Sequence, residues 1–347
     1  MKKHVIKHVR KTLNQPYMVP VNNLFSPFFS GIGTIVTLHR VVASSEDFIC
    51  EDLEITTDYL EEIINYFIKN NYEIVSLDIA HEIITGKIKT AKKFAVITFD
   101  DGYEDNYSLA YPIFKKYNLP FTIYVTTSFP DKTALLWWYA LKDLTNRKES
   151  IKFELHGINY TFNTEVLKEN AYSAIRELIM SLNIKQQKVL WTALFEENGI
   201  DIHQYSQKLT MSWEQIKELS QDSIVTIGAH TTNHFNLKAL DAETARKEIL
   251  DSKEKLETMI EAKVDHFAFP FGTKNEAGSR EFEIAGKMNF KTCTTTRCGN
   301  IFPEHSNHLS SLPRIVPSPD LFASFPHSYA SGFFPALKHR FKRVITY

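Results

Sequence analysis

Apolar positions along the chain follow two rhythms. Short β-branched or aromatic runs recur from Thr34 to Leu38, Ile74 to Leu77, Phe94 to Phe99, Phe121 to Val125, Ile224 to Ile227 and His266 to Phe269, each ending in polar or glycine-containing sequence. Runs of this length without polar alternation predict strands buried on both faces. Between several of them the spacing changes to that of a helix face: Leu60, Ile63, Ile64, Phe67 and Ile68, and later Ala245, Ile249, Leu256 and Ile260 after the capping candidate Asp241. Strands alternating with helices predict a parallel α/β sheet or barrel.

One stretch breaks this alternation. Ile151 to Leu155 and Ile158 to Phe162 alternate apolar and polar residues around His156-Gly157, the pattern of a hairpin. Helical stretches follow, roughly Thr164 to Leu182 and Ile184 to Glu197, so residues from about 130 to 210 read as an α+β insertion. Residues 1–33 read as an N-terminal extension and 34–347 as a barrel carrying that insertion, a division that accounts for the length.

Hydrophobic residues at 43% and charged residues at 23% match soluble globular proteins and argue against disorder. Forty basic side chains against forty-one acidic ones give no global attraction to nucleic acid, and no basic stripe is evident. Cys50, Cys293 and Cys298 are sparse and odd in number, which suits free thiols in a reducing compartment. No signal peptide is evident, and the apolar stretch from Leu24 to Leu38 is broken by Pro27, Gly31 and Gly33 and falls short of the ~20 residues a spanning helix needs. A cytoplasmic protein is the expectation.

The strand Phe94 to Phe99 delivers Asp100 and Asp101 side by side at its carboxyl end. Burying two like charges is costly, and a divalent cation on one of them would offset that cost. Successive side chains on extended backbone point to opposite sides, so one carboxylate can bind metal while the other faces a substrate water. Taken alone, Asp100-Asp101-Gly102 is also what a solvated turn looks like. After the strand Ile224 to Ile227 come His230 and His234, four apart, which on a helical turn share a face. Together with the acid pair they complete an Asp-His-His set with positions open for water and substrate, the pattern of a catalytic metal site. A third strand ends at Pro270-Phe271-Gly272, a turn placed to shape the mouth of the site.

These motifs resemble those of the polysaccharide deacetylases of the NodB-homology type, carbohydrate esterase family four. Thr98-Phe-Asp-Asp-Gly102 is similar to the first motif, His230-Thr-Thr-Asn-His234 to the second, and Pro270-Phe-Gly272 to the end of the third, over a span from about Thr34 to Val316. The resemblance implies a distorted (β/α)7-type barrel with Asp100 as general base and Asp101, His230 and His234 as metal ligands. Two features depart from it. Ala268 stands where the third motif usually has an arginine that orients the base; Arg314, in Leu312-Pro-Arg-Ile315, is the candidate replacement, with an ordinary structural arginine as the alternative. The usual late Leu-x-His carrying the general acid is missing. His39 follows the first strand, however, and in a closed barrel first and last strands are neighbours, so a permuted chain could supply the acid from its beginning. A buried histidine with a satisfied hydrogen bond is the alternative.

The implied reaction is metal-assisted removal of an acetyl group from an N-acetylated sugar, with the backbone N–H of Tyr103 as an oxyanion donor and zinc suited to the mixed ligand set. Trp137, Trp138, Phe25, Tyr103 and Tyr139 are candidate sugar-stacking aromatics, and Pro270, Phe271 and Gly272 candidate substrate contacts; Trp213 reads as packing. Both chain ends are basic, through Lys2, Lys3, Lys7, Arg10 and Lys11, then Lys338, Arg340, Lys342 and Arg343. Phe333, Phe334, Leu337, Phe341 and Val344 interleave with the second cluster, which suggests an interfacial helix touching the inner face of the membrane and a lipid-linked glycan substrate. Competing readings are a silent sugar-binding barrel, motivated by Ala268 and the missing late histidine motif, and removal of a formyl or O-acetyl group.

Overall fold

A computed structural model describes residues 12, 16–50, 53–155, 157–163, 168–317 and 325–346. Its strands are β1 (Gly33–Leu38), β2 (Arg40–Val42), β3 (Glu54–Thr56), β4 (Glu73–Ile74), β5 (Phe94–Phe99), β6 (Phe121–Val125), β7 (Ser150–Leu155), β8 (Ile158–Asn163), β9 (Val225–Ala229), β10 (His266–Ala268) and β11 (Thr292–Thr294). The principal sheet is parallel in the order β1-β5-β6-β9-β10-β11, with β4 paired to the start of β5. Every residue of β1, β5 and β6 is buried, as continuous apolar runs require.

The segment around Leu312 and Ile315 closes this sheet. Leu312 bridges Thr294 of β11 and Ile315 bridges Val36 of β1, both in parallel sense. Hydrogen bonds from Leu312 N to Cys293 O (2.9 Å) and from Thr37 N to Ile315 O (2.9 Å) tie both sides. The six-strand path plus this irregular stave make the expected distorted (β/α)7-type barrel.

The expected strand from Ile74 to Leu77 is shorter than its apolar run. Ser76 accepts a hydrogen bond from Ile79 N and caps the helix Leu77–Ile84, so Leu77 enters a helix. The helix Thr57–Lys69 buries Leu60, Ile63, Ile64 and Phe67 but leaves Ile68 half exposed. Asp241 caps Ala242–Ile260 through Thr244 N, as its position suggested. In the inserted region β7 and β8 form the expected antiparallel hairpin, followed by helices Lys168–Ser181 and Ile184–Leu194; His156 lies outside the described residues.

The interfacial-helix expectation at the chain end gains no support. Phe333 and Phe334 are buried and Phe333 stacks on Phe25 at 4.3 Å, so the six-residue helix Phe333–Lys338 packs these two rings inside the fold, whereas Phe341 beyond it is half exposed. The basic run of residues 2–11 lies outside the described residues. No helix among the described residues is long and apolar enough to cross a membrane. Cys50, Cys293 and Cys298 are buried and form no disulfide among the described residues.

Candidate metal centre

The register between β1 and β5 sets Leu38 opposite Phe99, so His39 and Asp100 leave neighbouring strand ends together. Asp100 N donates to Leu38 O at 2.9 Å. The two adjacent carboxylates part by a route other than strand alternation. β5 stops at Phe99, and Asp101 turns left-handed at φ 78°, followed by Gly102 at 90°. Thr126 N on Asp101 O (3.1 Å) and Met211 N on Gly102 O (3.1 Å) hold that turn.

The histidines likewise converge without the helical turn their spacing suggested. Residues 230–236 are a loop in which Thr231 (φ 65°) and His234 (φ 56°) are both left-handed. Such backbone persists only when its surroundings over-determine it, most of all at a β-branched residue. Here Thr127 N and Ser128 N donate to Thr231 O and Thr232 O at 3.2 and 2.9 Å. From the other side the carboxylate of Glu248 accepts Asn233 N (2.9 Å) and Nδ2 (2.7 Å). Phe271, also left-handed at φ 59°, brings its ring to 4.6 Å from that of His234.

These turns bring three ligand atoms to one point. Asp101 Oδ1 lies 3.4 Å from His230 Nε2 and 3.1 Å from His234 Nε2, and all three residues are buried or nearly so. His230 Nδ1 sits 2.7 Å from the carbonyl of Ala268, which can only accept, so the proton belongs on Nδ1 and Nε2 presents a lone pair toward Asp101. Asp101 Oδ1 is itself buried with no hydrogen bond. Converging lone pairs without a donor are repulsive unless a cation lies among them. Their separations fit the edge of about 3.3 Å of a tetrahedron with bonds of about 2.05 Å, so the residues suit a zinc-sized ion.

Asp100 lies outside this trio and has a different partner. Arg314, fully buried, sends Nη1 to Oδ1 (2.6 Å) and Nη2 to Oδ2 (2.7 Å), while its Nε donates to Thr295 O (3.0 Å) and its guanidinium lies 5.5 Å from the Tyr124 ring. Thr37 Oγ1 adds a donor to Asp100 at 3.3 Å. Burial raises the Asp100 carboxyl, and Arg314 more than cancels this, so the group sits below its ordinary value. Burial lowers His39, which feels the opposing pull of Asp101 and Asp100.

The remaining candidates divide. Trp137, Trp138 and Phe271 line a cavity beside His234, with the Trp138 ring 5.2 Å from that imidazole. Pro270 and Gly272, expected as substrate contacts, do not line it; they build the turn, with Gly272 N on Pro270 O at 2.6 Å. Tyr103 and Tyr139 are wholly buried and cannot stack on a sugar, and Phe25 is packed on Phe333. Sequence reading missed the support beneath His39: Asn106 Nδ2 donates to His39 O (2.7 Å), and Arg40 pairs with both Asp105 and Glu54 at 2.6 Å. Burial lifts Asp105 to about 6 despite Arg40. Arg40 directly after His39, with an Asp105-Asn106 pair just past the acid motif, was the available signal.

The polysaccharide deacetylase family model matches residues 87–185 and 182–291. The chain belongs to the polysaccharide deacetylase family. YxkH of Bacillus subtilis, provisionally named a polysaccharide deacetylase, is 23% identical over 255 residues; the match covers 74% of this chain and 62% of that relative's length. Among solved structures, deacetylase PplD of Streptococcus pyogenes in complex with acetate superposes with a TM-score of 0.54 at 21% identity, over 83% of this chain and 93% of that one. IcaB of Ammonifex degensii gives a TM-score of 0.54 at 19% identity, over 87% and 98%. Both share this deacetylase-family barrel.

Proposed function

We propose that this chain is a metal-dependent N-deacetylase of an N-acetylated sugar in a glycan or glycan intermediate. The observation that carries the reading is a buried, hydrogen-bond-free Asp101 Oδ1 facing two imidazole nitrogens beside a second carboxylate forked by an arginine. A divalent ion held by Asp101, His230 and His234, zinc by the chemistry of that set, would polarise the acetyl carbonyl and acidify a water.

Asp100 takes the proton of the attacking water, and Arg314 keeps it ionised and fixes its plane for that transfer. The N–H of Tyr103, just past the acid pair, supports the developing oxyanion. His39 returns a proton to the departing amine; its lowered affinity makes it a ready donor once charged, and Asn106 holds its backbone in place. Against the silent-barrel alternative, Arg314 forks Asp100 although Ala268 stands in the third motif, and in this reading His39 stands in for the missing late histidine. Metal analysis combined with acetate and formate release from N-acetylated, N-formylated and O-acetylated sugars tests the reading. Stoichiometric metal with no acetate from any acetamido sugar would sink it.

A further inference from the structure

The inserted region changes what lies beside the candidate centre. A cavity of about 400 Å³ opens between the barrel mouth and the insertion, within the range of small-ligand sites. Phe271, its ring 4.6 Å from that of His234, forms the barrel wall together with Asn233 and Asn236, and Trp138, at 5.2 Å from the same imidazole, faces it from the start of the insertion. Trp191, Met180 and Lys188, all from the insertion, form the other. Asn236 Nδ2 donates to Met180 O (3.3 Å) and fastens the two walls together.

The charge of this cavity is one-sided. Lys188 is the one residue with a full charge among those lining it, and no acid lines it. Arg176, from the same insertion, lies with its guanidinium 5.8 Å from the Phe271 ring and forms no ion pair among the described residues. Glu248, the carboxylate behind Asn233, is occupied by that residue's two N–H donors. The walls also hold donors without partners: the indole N–H of Trp191 and the hydroxyl of Ser128 are buried and unbonded. Aromatic faces suit a sugar ring, and cations with spare donors suit oxyanions.

Resting on the deacetylase reading, we propose that the insertion builds a subsite for an anionic group, a phosphate or a carboxylate, attached to the acetamido sugar. The test uses the metal-loaded full chain with three probes: neutral di-N-acetylchitobiose, N-acetylglucosamine 1-phosphate, and the disaccharide of N-acetylglucosamine with glucuronic acid. Acetate release should favour one anionic probe over the neutral one by about tenfold in kcat/KM, two partly exposed cations each contributing a few-fold. The ratio should collapse toward one in the Lys188→Gln, Arg176→Gln double variant and shrink with added salt. The phosphate and glucuronate arms identify which anion is read. Equal use of neutral and anionic probes, or a preference that survives the double variant, overturns the proposal. If no probe yields acetate, the deacetylase reading fails by itself. Calorimetric binding of the same probes then decides the subsite, anion-selective binding that the double variant loses supporting it and unselective or absent binding refuting it.

Discussion

Arg314 grips Asp100 with a planar two-pronged fork, Nη1 on Oδ1 and Nη2 on Oδ2 at 2.6 and 2.7 Å, across 214 residues of chain. A fork engages both carboxylate oxygens and so sets the plane of the acid as well as its charge, which a single ammonium cannot do. It leaves the neighbouring Asp101 to the two imidazoles.

Separate partners for the two acids give them separable phenotypes. Asp100→Asn should lower kcat by about 10²–10⁴-fold, the range of general-base catalysis, while elemental analysis still finds the metal. Loss of metal in this variant would mean the roles of the two carboxylates are reversed.

The fork also sets a pH dependence. The folded Asp100 carboxyl lies below its ordinary value, so its contribution to stability is present above about pH 4 and fades as pH falls through the lowered value. In Arg314→Gln the largest opposition to burial is lost and that value rises. The acid limb of the kcat/KM profile should therefore move upward, with a larger loss at pH 6 than at pH 8. An unmoved limb would show that Arg314 acts only through packing.

His39 can be separated from the attack step by the choice of leaving group. An amine leaves as a poor anion unless protonated, whereas 4-nitrophenolate needs no proton. His39→Gln should cut acetamide hydrolysis by about 10²–10⁴-fold and spare 4-nitrophenyl acetate by comparison. Equal losses on both substrates would argue that the histidine positions rather than protonates.

Removing metal with a chelator should abolish turnover and lower Tm, and returning zinc should restore both. Metal at 100 times its Kd stabilises by about 2.7 kcal/mol. The Tm increment on adding zinc should vanish in His230→Ala and in Asp101→Ala, read by thermal melts with and without the ion.

A packing test lies beneath the fork. A Cβ at Gly228 would fall 2.5 Å from the ring of Tyr124, the same ring that faces the Arg314 guanidinium. Gly228→Ala should cost about 1–3 kcal/mol of stability in urea unfolding, the range of an overpacked core.

The strands that carry Asp100 and the histidines could be read directly, because their apolar runs are continuous and both faces are buried. The meeting of Asp101, His230 and His234 could be inferred from residue type and strand-end position. How they meet could not: three of the turns involve left-handed residues, Asp101, Thr231 and His234, set by hydrogen bonds to Thr126, Ser128 and Glu248 distant in sequence. β11 escaped notice because Thr292–Thr294 is three residues long and polar on its surface chemistry while fully buried. The chain-end aromatics show a related ambiguity: apolar residues among lysines look the same in sequence whether they pack on another helix, as Phe333 does, or stay exposed, as Phe341 does.

The stave that closes the barrel has a consequence for folding. Arg314 lies between β11 and β1, and β1 leads to His39, so segments far apart in sequence must meet before His39 and the forked Asp100 stand side by side. A folding intermediate in which these segments have not yet joined lacks the Arg314 fork beside the β1 strand end. Late, long-range closure of this kind is slow relative to local folding.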